Sequence, residues 1–99
     1  VIVSGCSHAG AVNVLRNAQR LTGVERIAGF IGGLHLTGGI FEPIIAPTVD
    51  AFVAAGIGCL LPAHCTGWKA VHAIAGALPG SFIQNSVGTT LQFTAVPAA

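Results

Sequence analysis

His8, His35 and His64 each follow a short apolar run and lie in a Gly- or Pro-flanked segment: VIVSGCSHAG, IAGFIGGLH and GCLLPAHCTG. Imidazole is the commonest protein ligand for transition metals, so three of them gathered at one sheet edge make a candidate metal centre. A single histidine at a strand end is more often a loop residue bonded to backbone. Three at equivalent positions, 27 and 29 residues apart, point to a shared site. His72 differs, lying among alanines inside a helical stretch, and reads as a structural or surface residue.

The thiols offer a rival donor set. Cys6 and Cys65 flank the first and third histidines as C-x-H and H-C, and Cys6, His8, His64 and Cys65 would make a Cys2His2 zinc site. Adjacent residues such as His64 and Cys65 seldom point at one metal, and the C-x-x-C spacing is missing. Both thiols are therefore expected to be buried small hydrophobes, like Cys59. Three cysteines with no regular spacing also speak against a disulfide framework and for a reducing cytoplasm.

A third feature follows His64. Thr66 is placed to cap a helix beginning at Trp68, whose free amides and positive end attract anions; Gly67 lets an anion approach the main chain. Lys69 adds charge if it turns inward. The alternative is a plain N-cap with a solvated lysine; the anion-binding reading implies a phosphorylated substrate.

Alternating strands and helices must position these groups. Val1 to Ser4 reads as a strand, and Val12, Leu15, Ala18 and Leu21 recur every three residues to give an amphipathic helix over 11–21, stopped near Gly23. Ile27 to Ile31 is a second strand broken by Gly32 and Gly33, and Leu34 to Pro43 a loop. A second helix starts near Pro47 and ends at Gly56. Ile57 to Leu61 is a third strand, Pro62 to Gly67 a third loop and Trp68 to Leu78 a third helix. Two short strands, Phe82 to Gln84 and Thr89 to Thr94, close the chain. This order implies a largely parallel α/β sheet, in which ligands bind beyond the carboxyl ends of the strands.

Composition says that much of the surface is meant to be covered. Only 7% of the 99 residues are charged and 53% are hydrophobic, against roughly 25% charged in an ordinary soluble domain. A membrane helix does not explain this, because the best window, Ile44 to Ala63, carries Pro47, Asp50, Pro62 and two glycines. Four Lys or Arg form no basic stripe, which excludes the usual electrostatics of nucleic-acid binding. The chain has no Met and starts within an apparent strand, so it is expected to be one part of a larger fold. Its apolar face would then meet a partner segment or a second copy.

The segments SGCSHAG (4–10), GGLHL (32–36) and PAHCTG (62–67), in that order, resemble the C-terminal half of the metallo-β-lactamase superfamily. The similarity spans essentially all 99 residues and is to the dihydropterin ribofuranosyl-aminobenzene phosphate synthase-like branch. It implies half of an αββα sandwich, residues 1–99, with His8 and His64 as ligands of zinc or another divalent transition metal, one or two ions. Where the family usually has a bridging aspartate, this chain offers His35, which becomes a ligand or a catalytic group orienting substrate. The family's H-x-H-x-D-H segment is absent and would come from the N-terminal half. The resemblance thus implies a hydrolase or transferase acting on a phosphorylated or ester-type small molecule once the fold is assembled. A non-catalytic interaction module is the alternative.

Overall fold

The computed structural model describes residues 1–95. Strands β1 (Ile2–Ser4), β2 (Phe30–Gly32) and β3 (Leu60–Pro62) alternate with helices α1 (Ala11–Thr22), α2 (Ile45–Ala55) and α3 (Trp68–Ala77). A 3-10 turn, Glu42–Ile44, leads into α2. All pairing is parallel, and the strands lie side by side in chain order. Repeating a right-handed crossover in one direction sends every connecting helix to the same face. The packing agrees: the register partners Ile2, Phe30 and Leu60 meet Leu15 of α1, Phe52 of α2 and Ile74 of α3 in one core. Phe30 and Phe52, both fully buried, meet edge to face with centroids 5.3 Å apart.

The next residues in register, Val3, Ile31 and Leu61, face the other way. Leu61 is buried, Ile31 is half-buried and Val3 is 78% exposed, so cover thins towards β1. Residues 85–93 supply part of that cover, through Leu91 and Phe93 beside Val3 and Ile31.

Several expected boundaries move. In α1 the buried stripe runs through Ala11 and Leu15, while Leu21 lies exposed beside the left-handed Gly23 that ends the helix. The second and third strands begin three residues later than their apolar runs, because Gly29 and Gly58 lie where the chains come too close for side chains. A Cβ at Gly58 would come 2.7 Å from the Ala28 carbonyl oxygen. The second helix begins at Ile45, since Pro43 serves in the preceding 3-10 turn. Phe82 makes a single parallel bridge to Leu60 in place of a strand, and 89–94 forms no strand. No helix among the described residues is long and apolar enough to cross a membrane.

Candidate metal centre

All three histidine loops leave the carboxyl ends of the strands, and backbone bonds tie each to the next. Gly33 N–H donates to the Gly5 carbonyl at 2.7 Å, and Ala63 N–H to that of Gly32 at 2.8 Å. Thr66, fully buried, accepts from Leu34 N–H at 3.2 Å. A tight turn closes both outer loops: Gly10 N–H reaches the Ser7 carbonyl, and Thr66 N–H that of Ala63. The loops therefore form one connected rim.

Two separate groups of side chains occupy it. Cys6 Sγ lies 3.0 Å from His64 Nε2, and Cys65 Sγ, 3.5 Å from the Cys6 carbonyl oxygen, joins them. The ligand atoms of these three residues all lie within 4.8 Å of one another. Lost hydration and the neighbouring Cys65 push the Cys6 thiol above its ordinary range. Gly33 underlies the group: a Cβ there would collide with Cys65 Sγ and come 3.0 Å from His64 Cε1.

In the second group His8 and His35 meet edge to face, centroids 4.5 Å apart, and Phe41 packs on the other side of His35 at 4.7 Å. His35 adopts a left-handed backbone, φ 50°, and its Nδ1 is buried without a hydrogen-bond partner. Both imidazoles line a cavity of about 390 Å³ with Asn13 and Arg16 of α1 and Thr48 of α2.

The sequence reading therefore divides. His8 joins His35, and His64 joins the cysteines, which are half-buried rather than sealed in the core. Thr66 does not cap α3. Its hydroxyl serves Leu34, and the residue at the N-cap is Gly67, whose φ of 85° and contact with Thr37 leave no room for a side chain. Lys69 pairs with Glu42 at 3.1 Å beside a recess of about 50 Å³ that Gly67 also borders. His72 is exposed on α3, as expected.

The donor chemistry suits a metal. Zinc bonds of about 2.3 Å to sulfur and about 2.0 Å to nitrogen span a triad whose ligand atoms lie within 4.8 Å of one another. The architecture has a close counterpart among solved structures. A metal-dependent hydrolase of the β-lactamase superfamily matches with a TM-score of 0.83 and 32% identity, over 94% of this chain and 36% of that one. The chain shares its fold with that part of a β-lactamase superfamily hydrolase.

Two curated relatives come from Methanocaldococcus jannaschii. One is 7,8-dihydropterin-6-methyl-4-(beta-D-ribofuranosyl)-aminobenzene-5'-phosphate synthase, 31% identical over 94% of this chain. The other is an uncharacterised protein, 32% identical over 89%. The chain spans about a third of the length of each relative. No family model matches. In this superfamily segment the α/β architecture and the resemblance read from the sequence both stand.

Proposed function

We propose that this chain supplies His8 and His64 to the metal centre of a hydrolase or transferase acting on a phosphorylated or ester-type small molecule. The observation that carries the reading is the bonded rim of three loops at the carboxyl edge of a parallel sheet, with His8 beside His35 on a cavity of about 390 Å³ and His64 in the third loop of the same rim. Ligands of open α/β sheets bind at that edge. The metal dependence of the structural neighbour and the phosphate in the synthase's name support the same class. Zinc or another divalent transition ion, one or two per site, would lower the pKa of bound water and polarise the oxygen under attack. Arg16 offers the cavity a fixed positive charge for an anionic substrate, and His35 Nδ1 faces a demand for a partner that substrate can meet. Gly67 and Lys69, beside Thr66, are a further anion contact once Lys69 leaves Glu42. The remaining ligands come from the rest of such a fold, of which the chain spans about a third in its relatives. A purely structural module is the less favoured reading, because the relatives named for an activity are a synthase and a hydrolase.

The test is elemental analysis of the full-length protein carrying His8→Ala and His64→Ala. Metal content should fall to near zero while far-ultraviolet circular dichroism stays unchanged. Metal retained at the wild-type level would refute the assignment.

A further inference from the structure

We propose that Cys6, His64 and Cys65 form a thiolate–imidazole metal site that selects zinc over hard divalent cations. The proposal rests on the preceding reading in one respect, that His64 is a metal ligand, and it adds two sulfur donors that no histidine-only centre has.

Three observations converge on it. The ligand atoms of the three residues already lie within 4.8 Å of one another, although they come from loops 58 residues apart in the chain. Tetrahedral donors around zinc stand roughly 3.5 Å apart, from bonds of about 2.3 Å to sulfur and about 2.0 Å to nitrogen. Small side-chain rotations therefore close the group on an ion. Secondly, His64 and Cys65 are the two central residues of the turn from Ala63 to Thr66, whose bond closes at 3.0 Å. A turn, unlike a strand, lets neighbouring side chains point the same way. Thirdly, Gly33 leaves a space beneath Cys65 and His64 that a single methyl group would fill, so the backbone is shaped to admit both side chains.

The donor types set the preference. Thiolates favour zinc and other soft or borderline ions, whereas magnesium, calcium and manganese prefer oxygen ligands. Two sulfurs and one imidazole leave a fourth tetrahedral position for water or substrate. Binding replaces two S–H bonds with two metal–sulfur bonds and releases two protons.

The experiment is a titration of the reduced, metal-free, full-length protein with Co2+, an optical surrogate for zinc, under exclusion of oxygen. Thiolate-to-cobalt charge-transfer absorption should appear in the near ultraviolet, saturate with this site and bleach on adding Zn2+ but not excess Mn2+. Cys6→Ser and Cys65→Ser should each lose or strongly weaken the band with circular dichroism unchanged; Cys59→Ser should keep it. Cobalt bound without a charge-transfer band, or a band that survives both serine variants, overturns the proposal. If that band-free cobalt is lost in His8→Ala and His64→Ala, the histidine centre stands and only the thiolate site falls. No cobalt bound at all overturns both.

Discussion

The two groups on the rim share the first loop yet have opposite characters. Around Cys6, His64 and Cys65 the polar atoms point at one another, 3.0 Å apart at the closest side-chain contact. Around His8, His35 and Phe41 the rings meet by their edges and faces, and a nitrogen is left over beside a cavity. Cys6 and His8 are two residues apart, so in an extended strand they would share a face. Ser7, at φ 58°, breaks the alternation and sends them to different neighbours. Residue type says what a side chain is able to bind. A single backbone reversal decides which of two groups it joins.

Both groups stand on the edge where β1 meets β2. Gly32 ends β2, its φ is 149°, and a Cβ there would collide with the Ser4 carbonyl of β1. Backbone cannot yield as a flexible side chain does. Gly32→Ala should therefore cost about 3 kcal/mol or more, from strain and overpacking together, and loosen both groups at once. The midpoint of urea denaturation measures it; a variant of wild-type stability would show that the groups do not depend on that edge.

Gly33→Ala should separate them. The added methyl would strike Cys65 Sγ and come 2.9 Å from the Gly5 carbonyl oxygen, with no positive φ to add strain. A cost of about 1–3 kcal/mol is expected, with Cys65 displaced from Cys6 and His64. His8 and His35 contribute no atom to that collision. Imidazole ring resonances in NMR spectra should move for His64 and stay for His8 and His35. Equal movement of all three would mean that the rim responds as one body and the division is false.

How legible this was depends on the range of the forces concerned. The order of elements follows from local signals, apolar spacing in α1 and left-handed glycines at 23 and 56. The strands start later than the apolar runs at Ile27 and Ile57 suggest, because those runs continue through Gly29 and Gly58, whose role is set by segments far away in sequence. The histidines stood out through their repeated position after an apolar run. Their division did not, since it turns on the φ of Ser7 and on tertiary contacts. The same holds for Cys65: rejecting adjacent ligands assumes extended backbone, and PAHCTG gave a turn signal through Pro62 and Gly67 that could have removed the objection. Thr66 looked like a cap by its spacing from Trp68, but a buried amide at Leu34 claims its hydroxyl.

The smallest expected effect tests the edge of the comparison, where Lys69 lies outside both groups. Its ammonium is 3.1 Å from Glu42, but the two side chains are 55% and 37% exposed. Water and salt screen such a pair, and ordering two long side chains offsets much of the attraction. Lys69→Ala should thus change stability by about 0–1 kcal/mol, with Glu42→Ala alike and the double variant no worse than either, checked by denaturation at low and high salt. A large loss of stability would mean that the pair anchors the 3-10 turn to α3. A loss of turnover with stability intact would mean instead that Lys69 leaves Glu42 for an anionic substrate. Because Glu42 can only repel such an anion, Glu42→Ala should then lower KM where Lys69→Ala raises it, and that opposition of sign separates a substrate contact from a structural one.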